Sequence, residues 1–216
     1  MYKKPLVLVN FKTYKQGSGK SAVKIAKLCS QVNGKVQMAV AVQAVDIASV
    51  VKAVKIPVFA QHIDTIEYGG HTGHVLGEAV KEAGATGVLI NHSEHRVPVN
   101  VIKATMAKAK KLGLVTIICA KNDSEGRKLA RFKPDYVAVE PPSLIGDPKK
   151  SICTENPSLI TNSVKKIGKN VLVGAGVKDQ HDLRVALKLG AKGVLLASHI
   201  MKAKNPLKEL KNLVKI

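Results

Sequence analysis

Short apolar runs and longer amphipathic segments take turns along the whole chain, eight times over. The runs lie at 5–11, 36–42, 57–62, 86–92, 114–120, 135–140, 170–176 and 192–198. Segments of helical period follow them at 21–32, 45–54, 74–84, 99–113, 123–132, 156–168, 178–190 and 205–215. Eight such units in 216 residues leave about 27 residues apiece, near the short end for a closed ring of strand–helix units. The runs are rich in Val, Ile and Leu, as in PLVLVNF and NVLVGAG, and do not alternate with polar residues. A strand of that kind is buried on both faces, as a parallel sheet covered by helices requires. Gly84, Gly113, Gly168 and Gly190 close four of the helical segments, where a left-handed terminal turn suits glycine. The pattern predicts an α/β fold, a (β/α)8 barrel, with 1–216 as a single domain. A doubly wound open sheet is the alternative, and it seldom has eight units this regular.

Composition agrees with a globular chain. Hydrophobic residues make up 45% and aromatics 3%, with no Trp, so the core must be built from Val, Ile, Leu and Ala. No apolar run approaches the roughly 20 residues that span a bilayer. The start, MYKKPLVLVNFK, places two lysines before an apolar stretch that Asn10 interrupts, too short for a signal segment of about 7–15 residues. It is expected to form the first buried strand of a cytoplasmic protein. Cys29, Cys119 and Cys153 share no close spacing, which argues against a disulfide framework and fits a reducing compartment. The formal charge is +20, from 35 Lys and Arg against 15 Asp and Glu. Such a surface either attracts polyanions or steers a phosphorylated metabolite. The lysines are spread through nearly every segment, with no basic tract interleaved with aromatics. A solvated basic surface is therefore the favoured reading, and nucleic acid is not the expected partner.

In a barrel, the chemistry sits at the C-terminal ends of the strands. Strand one ends in Asn10-Phe11-Lys12, strand four in Asn91-His92-Ser93-Glu94, and strand six in Glu140. One rim thus carries a cation, an imidazole and a carboxylate. Gly174-Ala175-Gly176 and Ala197-Ser198 end strands seven and eight, where compact backbone lets amide N–H groups approach an anion. Barrels commonly hold a phosphate at that place. His62, His71 and His74 surround a Gly-rich stretch, but H-x-x-H across a glycine lacks helical spacing and has no cysteine nearby, so a loop or subunit contact is expected there rather than a metal.

With NFK (10–12), AQHID (60–64), NHSEHR (91–96), VAVEPPSLIG (137–146) and GAG (174–176) in this order at successive strand ends, the chain resembles the triosephosphate isomerase family. It looks most like the shorter archaeal branch. The resemblance spans the whole chain and implies a TIM barrel that interconverts dihydroxyacetone phosphate and D-glyceraldehyde 3-phosphate in glycolysis and gluconeogenesis. That family is itself a standard illustration of catalytic pKa tuning, so the roles come with the resemblance. By it, Glu140 is the base, His92 the neutral electrophile, and Lys12 the positive charge, with Asn10 beside it. Glu94 would position Lys12. Substrate contacts would fall to Asn10, Phe11 and Lys12, and to Ile145, Gly146, Gly174, Gly176, Ala197 and Ser198 around the phosphate. The prolines after Glu140 would stiffen the pivot of a lid, with Leu144 and Ile145 as cover. No cofactor and no metal is implied. A homo-oligomer is implied, with the tetramer favoured over the dimer, and no role is implied for His95 beyond surface or interface.

Three departures from the family pattern stand out. NHSEHR replaces G-H-S-E-R-R, VGAGV replaces Y-G-G-S-V, and DPKKSICTENP lacks the usual continuation of the lid. Two rivals remain beside the isomerase. One is another phosphate-binding barrel, which the V-E-P-P, NFK and NHSE strand ends oppose. The other is a polyanion-binding barrel, whose affinity would fall steeply with salt.

Overall fold

Eight parallel strands close on themselves in sequence order. The computed structural model describes residues 2–32, 34–147, 150–168 and 170–216; Pro148 and Lys149, in the divergent stretch after the lid, lie outside the described residues. The strands are β1 (Leu6–Asn10), β2 (Gln37–Val42), β3 (Val58–Ala60), β4 (Gly87–Ile90), β5 (Val115–Ala120), β6 (Tyr136–Val139), β7 (Val171–Val173) and β8 (Gly193–Leu196). Closure is made by β1, which pairs Leu6 with Gln37 of β2 on one side and with Gly193 of β8 on the other. The barrel expected from the alternating pattern is the fold observed.

The helices are α1 (Lys20–Gln31), α2 (Ile47–Ala53), α3 (Gly77–Glu82), α4 (Val99–Lys111), α5 (Asp123–Ala130), α6 (Ile152–Glu155), α7 (Pro157–Ile167), α8 (Gln180–Lys188), α9 (Ser198–Met201) and α10 (Pro206–Leu213). Their starts are written in local sequence. Asn122, Asn156, Asp179 and Asn205 each accept a backbone N–H from the first turn of the helix that follows, and Pro157 and Pro206 occupy the first helical positions. Such caps satisfy donors that the helix itself leaves unpaired. Gly84, Gly113, Gly168 and Gly190 all have positive φ, as their places after helices led us to expect. The four-residue α6 and α9 were not anticipated, because neither is long enough to show a period. α6 carries a signature nonetheless: Ser151 and Thr154 form a capping box.

Alternation along each strand separates two cores. Leu6, Leu8, Ala39, Ala41, Phe59, Leu89, Ile117, Cys119, Tyr136, Ala138, Leu172 and Leu195 fill the barrel. Val7, Val9, Val40, Val42, Val137, Val139, Val171 and Val173 face outward into a second layer shared with the helices. This is the period of two imposed by the pleat. Large and small residues interdigitate inside: a Cβ at Gly87 would lie 2.2 Å from the Phe59 ring, so glycine there makes room for the aromatic. At the bottom, the Tyr2 backbone N–H donates to the Tyr136 hydroxyl at 3.1 Å and ties the N-terminus to the barrel floor.

The strands end two to three residues before several of the apolar runs do, at Ala60, Ile90, Val173 and Leu196. The residues that follow leave the ladder and shape the upper mouth, and this is where the polar strand ends collect.

Candidate active site

The same alternation determines which polar residues look into the mouth. Asn10 continues the inward series of Leu6 and Leu8, Gln61 follows Phe59, and Glu140 follows Tyr136 and Ala138. Phe11 falls on the opposite parity. It is fully buried in the outer layer and does not line the cavity at the mouth. Its expected substrate contact is corrected accordingly: pleat geometry points it away.

His92 breaks this parity, since Val88 and Ile90 face outward. The break comes at Asn91, whose φ is +62°. Asparagine tolerates this left-handed conformation better than most residues, so it can stand where the family motif has glycine. The Asn91 side chain also donates to the Cys119 carbonyl at 3.0 Å and accepts the Val97 N–H at 3.1 Å, which holds the turn. His92 then lines the mouth together with Asn10, Lys12 and Glu140.

Asn10 and Lys12 form one unit with Gln61. The Asn10 Oδ1 accepts the Lys12 N–H at 3.0 Å and the Gln61 Nε2 at 3.2 Å. Gln61 Nε2 also lies 3.0 Å from the Lys12 carbonyl and 3.3 Å from that of Ala41. These bonds hold Lys12 at φ +48°, an uncommon conformation for a residue with a Cβ. The Lys12 Nζ donates to Glu94 Oε1 at 2.7 Å. Gln61 was not singled out from sequence, although its inward register in AQHID is the signal that finds it.

His92 Nδ1 accepts the Glu94 backbone N–H at 3.2 Å. A ring nitrogen that accepts carries no proton, so the neutral ring holds its proton on Nε2. Nε2 lies 3.8 Å from Glu140 Oε2. Both His92 Nε2 and Glu140 Oε1 are buried and find no hydrogen-bond partner among the described residues. Buried polar atoms are nearly always paired, and two orphans facing one cavity mark a place prepared for a ligand. The Cys119 thiol, pushed well above its ordinary range by burial and then by the Glu140 carboxylate, stays protonated beside it. Gly174 is needed by the same carboxylate: a Cβ there would sit 2.5 Å from Glu140 Cγ. Gly174 therefore makes space for Glu140 and, unlike Gly176, does not line the cavity.

The cavity has a volume of about 700 Å³. Ile145 and Gly146 line it from the lid, Ala175 and Gly176 from β7, and Ala197 and Ser198 from β8. Leu144 packs instead into the outer apolar layer. Ala175 and Gly176 have φ of +72° and +74°, so both residues of this turn take a conformation that favours glycine, and Ala175 does so with a Cβ. The far end of the lid rests on it. A Cβ on Gly176 would meet the Lys150 carbonyl at 2.1 Å, and the Ile152 N–H donates to the Ala175 carbonyl at 3.2 Å. Next to that contact, the buried Ser151 hydroxyl donates to Asp182 Oδ1 at 2.6 Å, while Asp182 Oδ2 accepts the Lys178 N–H at 2.9 Å. Neither Ser151 nor Asp182 was marked from sequence; only their tertiary meeting reveals them.

His62 and His95 line a second concavity beside Lys12, Gln61 and His92. His62 lies 3.1 Å from Asp64 and stacks edge-on against His95 at 4.6 Å, while His71 and His74 pair at 6.0 Å. Among the described residues no three His, Cys, Asp or Glu side chains are grouped to hold a metal ion.

Comparison with known proteins places this geometry in a lineage. The family model described as triosephosphate isomerase matches residues 5–215. The triosephosphate isomerase of Methanosarcina acetivorans is 44% identical over 219 aligned residues, covering 98% of each chain. That of Methanosarcina mazei is 46% identical over 219, again with 98% of each chain covered. That of Methanocaldococcus jannaschii is 44% identical over 217, covering 97% of this chain and 99% of its own.

Proposed function

The chain belongs to the triosephosphate isomerase family, and we propose that its barrel mouth interconverts dihydroxyacetone phosphate and D-glyceraldehyde 3-phosphate. One observation carries the reading. Glu140 Oε1 and His92 Nε2, both buried and without a hydrogen-bond partner among the described residues, face one cavity, with Nε2 3.8 Å from the other carboxylate oxygen and with Lys12 and the glycine turn of β7 on its wall.

In this mechanism Glu140 removes a proton from the carbon next to the substrate carbonyl. Glu140 is 6% exposed, so few waters compete with substrate for its carboxylate. The electron pair moves onto the carbonyl oxygen, to which His92 Nε2–H donates, and Lys12 balances the enediolate charge. His92 gives its Nε2 proton to that oxygen and takes the hydroxyl proton of the adjacent carbon in return, while Glu140 returns the carbon-bound proton to the former carbonyl carbon, so hydroxyl and carbonyl exchange places. Atoms and charge are conserved, and neither cofactor nor metal enters. Asn10 and Gln61 hold Lys12 in place, and Glu94 steers its ammonium. The phosphate rests on backbone groups of Gly146, Gly176, Ala197 and Ser198, with Ile145 closing over it.

A coupled assay on the purified chain tests this directly. The wild type turns over triose phosphate, and Glu140→Gln loses roughly 10²–10⁴-fold in kcat, the range for a general base. A wild type without activity, or a variant of undiminished rate, overturns the assignment. Family membership also supports a place in glycolysis and gluconeogenesis, in the cytoplasm. Among the described residues no helix is long and apolar enough to cross a membrane. We further read the chain as a homotetramer. The loop after β3 leaves Tyr68 73% exposed, and Val99 at the start of α4 is 62% exposed, two separate apolar contacts that a second copy can cover. Light scattering decides it: a monomer mass at micromolar concentration overturns the oligomer, and a dimer mass overturns the tetramer.

A further inference from the structure

The cavity is larger than the proposed reaction needs. At about 700 Å³ it lies within the range of roughly 300–1,000 Å³ that holds drug-sized ligands, while a triose phosphate has only about ten non-hydrogen atoms. The excess runs outward from Ser198 along the segment after β8, where Lys202, Lys204 and Lys208 join Lys178 on the wall. The carboxylates of this arm are Asp147 on the lid and Glu209, and Glu209 lies 3.3 Å from His199. Lys202 Nζ sits 5.4 Å above the Tyr14 ring. Lys202, Lys204 and Lys208 weight this part of the wall towards positive charge, which a bound anion offsets.

We propose that this outer arm is a second anion subsite, which takes the distal phosphate of a ligand carrying two or more phosphate groups while the inner turn holds the first. Such a ligand spans the mouth and competes with triose phosphate. The proposal rests on the inner turn being a phosphate site, so its test separates the two.

Calorimetric titrations with orthophosphate, pyrophosphate and tripolyphosphate at matched ionic strength read the subsite directly. Affinity is expected to rise by about tenfold or more along the series, beyond what a diffuse field on a charged protein supplies. Lys204→Ala with Lys208→Ala abolishes that gain and leaves the orthophosphate Kd and the triose phosphate KM unchanged. Lys81→Ala with Lys103→Ala, exposed lysines outside the cavity, keeps the gain. Equal affinity for all three anions overturns the subsite, as does a gain that survives the first double variant or is lost equally in both. Failure of orthophosphate to bind, with a tripolyphosphate affinity that still depends on Lys204 and Lys208, overturns the inner site and upholds the outer one.

Discussion

Gly174 and Lys12 show how much of this site rests on single side chains, or on the absence of one. Because a Cβ at 174 would meet Glu140 Cγ at 2.5 Å, Gly174→Ala must displace the carboxylate. The backbone there is not left-handed, so the fold accommodates alanine. Misplacing a catalytic group by about 1 Å costs on the order of 10²-fold. The expected result is a kcat lowered by about that factor with an unchanged circular dichroism spectrum. Lys12→Met removes the charge set against the developing enediolate and raises the barrier by about 3 kcal/mol, read as a fall of about 10²-fold in kcat/KM. The three thiols stand at the other extreme. Burial pushes Cys29 and Cys153 up to about 12 and Cys119 higher than its ordinary range. A thiol reagent at pH 8 should therefore leave the native protein unlabelled and label all three cysteines in denaturant.

At the scale of elements, the lid is anchored where its sequence departs from the family. The Ser151–Asp182 bond joins the start of α6 to α8, against the turn whose Gly176 touches the Lys150 carbonyl. Ser151→Ala leaves the Asp182 carboxylate one donor short, and a buried hydrogen bond to a charged group is worth about 1.5–3 kcal/mol. Thermal melting should record that loss. Looser closure over the enediolate should also raise KM and the fraction of substrate that eliminates phosphate, measured as free phosphate released per turnover. A variant that lowers only the melting temperature would make Ser151 a packing residue and nothing more. A second clamp serves the loop after β3. The buried Lys108 Nζ of α4 bonds the Ile66 carbonyl and lies 2.9 Å from Glu78 and 3.2 Å from Glu67. Lys108→Met should loosen that loop and weaken the proposed oligomer, so that its dissociation is seen at higher protein concentration than for the wild type.

For the whole molecule, the clearest pH dependence comes from Glu78 and Asp123. Their carboxyls are held below the ordinary 4.5 and 3.8, chiefly by hydrogen bonds from Lys108 and Lys166. The folded state therefore takes up these protons less readily than the unfolded chain. The stability they confer is complete above the ordinary carboxylate values and is lost as pH falls through them and on through the depressed folded values. Melting temperature should hold steady from pH 7 to 6 and drop between pH 5 and 3, with a shallower drop in Lys108→Met. A formal charge of +20, which grows as carboxylates protonate, adds self-repulsion in the same direction.

The eight-unit pattern, its caps and its strand-end residues are all local properties, and the sequence by itself determined them. Continuous Val and Ile runs can only be strands buried on two faces, and Asn-Pro at 156–157 and 205–206 can hardly do other than start a helix. Glu140, His92 and Lys12 were legible because each stands in a recognisable motif at the end of such a run. Tertiary structure alone decided which way those ends point. Pleat parity turns Asn10 and Glu140 into the mouth and Phe11 out of it, and a left-handed φ at Asn91 swings His92 back in. It also brought together residues far apart in sequence: Gln61 with Lys12, Gly174 with Glu140, and Ser151 with Asp182. Propensity and periodicity act over a few residues, whereas direction and contact depend on ring closure, which belongs to all eight units at once.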